Sequence, residues 1–106
     1  MTWDEVCVIA RELPSVEPGS YHGYPALRVE GKFLARLSDD YESVEFKAFA
    51  VEEREALLLA RPDVFHVPGG FKGAGIFARL ATLDETTLRD LLVQRWRRVA
   101  PKRGRR

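Results

Sequence analysis

Between Tyr21 and Leu37 the chain reads YHGYPALRVEGKFLARL, and from Ala26 onward its apolar residues recur at alternate positions on both sides of Gly31. A period of two puts Leu27 and Val29, then Phe33, Ala35 and Leu37, on one face of a strand pair, and Arg28, Glu30 and Arg36 on the other. A chain with this pattern must build a sheet with one buried face, which removes all-helical folds. Strands are predicted at Ala26–Glu30 and Phe33–Leu37, with Gly31 and Lys32 in the turn. After a turn at Asp39, Asp40 and Tyr41 the alternation resumes: Val44, Phe46 and Ala48 point inward and Glu45 and Lys47 outward, in a strand over Val44–Phe49.

Helices are predicted on either side of these strands. Thr2 and Glu5 have capping-box spacing, and Trp3, Val6, Cys7 and Ala10 share one helical face up to about Arg11. Pro14–Ser20, rich in Pro, Gly and Ser, reads as a loop. A second helix covers Val51–Ala60, with Glu52, Glu53 and Glu55 near its positive end. Short strands follow at Val64–Val67 and Ile76–Ala81, separated by the loop PGGFKGAG. The last helix starts at an Asp84 N-cap, with Leu83 and Leu88 as a hydrophobic staple and Leu88, Leu91, Leu92, Trp96 and Val99 as its apolar stripe. Pro101 ends it.

The order α-β-β-β-α-β-β-α, with consecutive strands, predicts an α+β two-layer sandwich: an antiparallel sheet with helices mainly on one face. At 106 residues and 45% hydrophobic content, one domain spanning 1–106 is expected. The single cysteine, Cys7, excludes an internal disulfide and suits the cytoplasm. The start MTWDEV lacks the pattern of a secretory signal, and no apolar run approaches the ~18 residues of a membrane span. No membrane association is expected, and the chain is read as a monomer.

The net charge of +1 conceals an asymmetry. Arg95–Arg106 holds seven basic residues and no acid, which leaves residues 1–94 with ten basic and sixteen acidic residues, a net of −6. A cationic end on an acidic body permits contact with nucleic acid or an acidic partner, and argues against a domain built wholly as a basic clamp.

Three segments, LPSVEPGSYHGYPALRVEGKFLARL (13–37), RPDVFHVPGGFKGAGIFARL (61–80) and WRRVAPKR (96–103), resemble in order, spacing and total length the MmcQ/YjbR family, across nearly the whole chain. The resemblance implies a small α+β domain that binds DNA through a double-wing arrangement of hairpins. It supplies no catalytic residues. The loop at Gly69–Gly70 is poorer in aromatic and basic residues than many members show, and the tail is richer in arginine.

With that resemblance, the expected function is non-enzymatic binding of nucleic acid, DNA before RNA, through phosphate contacts that position a duplex without reading its bases. Arg28, Arg36, Lys47 and Arg79 alternate outward on four strands. Lys32 and Lys72 sit at hairpin tips. Lys102 and Arg103 stand in the basic tail at 101–106. Glu30 and Glu45 share the outward face, so ordinary cross-strand pairing is the competing reading of these cations. The other functional alternative is a module that binds a small molecule or a protein partner, with a pocket near Tyr21–Pro25. No cofactor or metal is expected: Cys7 lies in an apolar stripe, and His22 and His66 are 44 residues apart. The loop PGGFKGAG lacks the Gly-Lys-Ser/Thr of a phosphate-binding loop. The acids Asp39, Asp40 and Glu42 do not fit a calcium loop.

Overall fold

The computed structural model describes residues 1–47 and 50–100. The expected strand end at Ala48–Phe49 and the basic tail with Lys102 and Arg103 lie outside the described residues. The chain is an α+β fold: α1 (Trp3–Ala10), β1 (Val16–Tyr21), β2 (Tyr24–Val29), β3 (Lys32–Leu37), β4 (Ser43–Phe46), α2 (Val51–Ala60), β5 (Phe65–His66), β6 (Ile76–Arg79) and α3 (Glu85–Val99). The strands form one antiparallel sheet in the order β1-β2-β3-β4-β6-β5.

One strand goes beyond the expected order. Residues 16–21, inside and just beyond the segment read as a loop, pair with β2 from Val16↔Val29 to Tyr21↔Tyr24. The turn between them is His22–Gly23, with φ of 50° and 84°, and Glu30–Gly31 repeats this geometry at 48° and 83° between β2 and β3. Two consecutive left-handed residues twist the backbone as a two-residue hairpin requires, and glycine at the second position meets that demand without strain. Pro18 and Gly19 are tolerated because β1 is an edge strand, where Pro18 also removes a donor that another chain might pair with.

The sheet packs one face against α1 and α3. Leu27, Ala35, Phe46 and Ile76 lie in register on that face, as do Leu37, Val44, Ala78 and Phe65. With Val6, Ile9, Ala10, Leu88, Leu91 and Leu92 they form the buried core. The caps are as expected: Thr2 and Glu5 close a reciprocal box, and Asp84 accepts from the Thr87 amide. Both staple residues, Leu83 and Leu88, are buried. Helix α2 buries no residue fully and rests Leu57 and Leu58 on the rim of the core. Trp96 donates from Nε1 to the Pro14 carbonyl at 2.8 Å and ties α3 to the chain entering β1.

A bulge changes the phase of β3. Leu27 pairs with Ala35 but Arg28 pairs with Phe33, so Leu34 is an extra residue. One inserted residue reverses the faces beyond it. Leu34 is therefore wholly buried, and Phe33, expected inside, turns to the outer face with Arg28.

Candidate functional site

The outer face of the sheet is only partly open. Ala26, Arg36, Glu45, Phe77 and His66 form one row across it from β2 to β5. At one side the β1–β2 hairpin curls over, so that the Tyr21 ring meets Phe33 at 4.9 Å between centroids. At the other, the connection from β5 to β6 folds back and sets Phe71 edge-on to Phe77 at 5.1 Å. Arg54 of α2 holds this connection by donating to the carbonyls of Gly73 at 3.0 Å and Gly75 at 3.2 Å.

The four outward cations are all on this face, and all are half-buried and engaged. Arg28 donates to the carbonyls of Ser20 and Gly31, at 2.9 and 3.0 Å. Arg36 donates from Nε to Glu45 Oε1 at 2.6 Å and from Nη1 to Asp39 Oδ1 at 2.7 Å, with its guanidinium 5.5 Å from the Tyr24 ring centre. Burial works against its charge, and the bonds to Asp39 and Glu45 outweigh that and raise its pKa. Lys47 donates to the Tyr21 hydroxyl, and its Nζ lies 4.2 Å from the Tyr21 ring centre and 5.0 Å from that of Phe33. Arg79 donates to the Pro62 carbonyl at 3.1 Å. The Arg36–Glu45 contact is the cross-strand pair that the sequence raised as the competing reading of this face.

Lys32 and Lys72 differ from these four in being exposed. Strands β3 and β6 are both antiparallel to β4 and therefore run in the same direction. Their starting ends, and with them the β2–β3 turn and the β5–β6 connection, open at one end of the sheet. Lys32, where β3 begins, and Lys47, just past the end of β4, lie at that end, and Lys72 belongs to the connection that leaves from it. The acidic turn Asp39–Glu42 closes the opposite end.

Among the described residues, Arg95 and Arg98 of the C-terminal basic run are held in different surroundings. Arg95 is 3% exposed within the apolar stripe of α3, and burial lowers its pKa. Arg98 donates to Glu53 at 2.8 Å and links α3 to α2. Glu53 also accepts from the Ala50 amide at 3.0 Å at the start of α2. Together these bonds, that from Arg98 foremost, hold its carboxyl at about 2.

Beside the central row lies a cavity of about 390 Å³, lined on one side by His66, Phe71 and Phe77 and on the other by Arg36, Asp39 and Asp40. Ser43, at its base, lies 2.9 Å from His66 Nε2 in a hydrogen bond. Asp40 Oδ1 accepts from Ser38 Oγ at 2.6 Å and from the Glu42 amide at 3.0 Å, which lowers its pKa. Burial, and then Arg79, lower that of His66, against the pull of Asp40, and so favour the neutral imidazole. The sequence placed a pocket near Tyr21–Pro25, and none of those five residues lines this cavity. Residues of the β3–β4 turn, of β5 and the connection after it, and of β6 build it, and only the strand order brings them together.

Among the described residues no group of three or more His, Cys, Asp or Glu is placed to hold a metal, and no helix is long and apolar enough to cross a membrane. Cys7 is half-buried, and burial, then Asp4, raise its thiol pKa, the reverse of an activated nucleophile. No family model matches the chain, and no curated protein or solved structure matches it.

Proposed function

We propose that this chain binds nucleic acid, DNA in the first place, by phosphate contacts and without catalysis, as a monomer in the cytoplasm. The observation that carries the reading is the shared placement of Lys32 and Lys72. Both are exposed at connections that open at the same end of the sheet. Lysine ammonium groups on two separate loops are free to meet successive phosphates of one backbone, and each such contact releases condensed counterions. The outward cations of the strands act differently. Arg28, Arg36, Lys47 and Arg79 are held by the protein's own carbonyls, carboxylates and rings, so they brace the face and add to its field instead of reaching for a ligand. The acidic turn at the opposite end orients the approach by repelling the backbone from that side.

The test is fluorescence anisotropy of a labelled DNA duplex titrated with the full chain across a salt series. Affinity should fall steeply as salt rises, and should drop in Lys32→Ala and Lys72→Ala alike. The same titration with duplex RNA and single-stranded DNA ranks the substrates. Absence of binding at low ionic strength refutes the reading.

A further inference from the structure

The cavity on the outer face has a charge and a shape that the nucleic-acid reading does not use. Its Arg36 guanidinium is already matched, by Glu45 at 2.6 Å and by Asp39 at 2.7 Å. Burial and Arg79 disfavour a charge on His66. Asp39 and Asp40 therefore leave the lining net negative, and Asp39 stands at its mouth with a side chain that is 70% exposed. A phosphate or carboxylate is disfavoured there. Opposite the acids stand three rings: Phe71 perpendicular to Phe77 at 5.1 Å, and His66 tilted to Phe77 at 5.7 Å. At about 390 Å³ the space falls within the range of small-molecule sites, and an aromatic wall facing a few convergent polar groups is their usual lining.

We infer that this cavity is a binding site for a small organic cation with a flat aromatic body, an arylalkylamine in chemical class. Its ring lies in the corner made by Phe71, Phe77 and His66. Its ammonium group faces Asp39 and Asp40, whose Oδ2 takes no part in the bonds to Ser38 and Glu42. The Ser43–His66 pair at the base offers a hydroxyl and an imidazole nitrogen to a polar ring substituent. Two rings meeting edge-on give a cation and an aromatic plane favourable faces at once. The inference stands independently of DNA binding, since neither Lys32 nor Lys72 lines the cavity.

The probe is tyramine, with 4-hydroxyphenylacetate as its counterpart of the same ring and opposite charge. Both are titrated into the ¹⁵N-labelled full chain and followed by amide chemical shifts. Tyramine should shift Ser43, His66 and Gly69–Phe71 saturably, with a Kd on the order of 1 mM, the range open to a ligand of about ten heavy atoms. The acid should bind at least about tenfold more weakly, a difference of the size expected from one charge contact. Asp40→Asn and, on the half-exposed loop, Phe71→Ala should each weaken tyramine by a similar factor. Equal binding of the two probes, non-saturating shifts scattered over the surface, or wild-type affinity in both variants overturns the inference.

Discussion

Arg36 and Glu45 face each other across β3 and β4, Nε to Oε1 at 2.6 Å, with only 2% of the Glu45 side chain exposed. The second oxygen, Oε2, has no hydrogen-bond partner and lies under the Gly73–Gly75 segment that Arg54 holds down. A buried carboxylate satisfied on one oxygen alone contributes little net stability, yet removing it alone leaves the half-buried guanidinium with only the exposed Asp39 as its ionic partner.

Glu45→Ala should therefore destabilise the fold by about 3 kcal/mol, while the double variant Arg36→Met with Glu45→Leu should be near neutral. Urea unfolding of the two variants and the parent measures both. A double variant as unstable as the single one would show that the pair supplies stability that apolar packing does not replace.

Variants on the sheet face separate bracing cations from contacting ones. Lys32→Ala and Lys72→Ala should each lower the salt slope of DNA binding by about 1. Arg36→Met, made with Glu45→Leu so that no buried carboxylate is left unpaired, should change that slope far less. Equal losses in all three proteins would make the whole face, and not its end, the contact surface.

His66 offers a direct reading of the cavity's electrostatics. Its ring protons should titrate below the ordinary histidine value of 6.5, since burial and Arg79 both oppose its protonation. Arg79→Gln should raise the pKa, and Asp40→Asn should lower it further. The native state then binds fewer protons than the unfolded chain, so this group's contribution to stability is complete above about 6.5 and is lost as pH falls through the folded value. An NMR titration of the imidazole in the parent and both variants decides it.

The link between α2 and α3 should fail in acid. Glu53 has its carboxyl at about 2 in the fold against 4.5 ordinarily, through its bonds to Arg98 and to the Ala50 amide. A depressed carboxylate contributes stability above the unfolded value and loses it as pH falls through the folded one. Thermal melts should show Glu53→Gln less stable than the parent at pH 6, with the difference shrinking below 4.5 and nearly gone at pH 2. A difference that persists unchanged at pH 2 would assign the effect to shape and not to charge.

Much of this was legible because it is local. The capping box at Thr2, the Asp84 N-cap with its staple, and the apolar stripes of the first and last helices involve residues within a turn or two of one another, and the structure has them as the spacing predicts. β1 was hidden by its own composition. Pro18, Gly19 and Ser20 read as a loop, and only the His22–Gly23 turn between two tyrosines marked a hairpin. The bulge at Leu34 was hidden for another reason. In FLA three consecutive apolar residues satisfy either phase of a strand, and the partner strand chooses between them.

The amino-acid sequence by itself determined the α+β class, the inward stripes and the caps, because each follows from the period of the backbone and the chemistry of neighbouring side chains. Tertiary structure alone decided what the outer face became. It bound Arg36 to Glu45, and it set the two connections that carry the exposed lysines off from one end of the sheet. It also built a cavity from the β3–β4 turn, β5 and the loop before β6. Those relations depend on strand order and on a one-residue shift in register, and neither is written in the distance between residues along the chain.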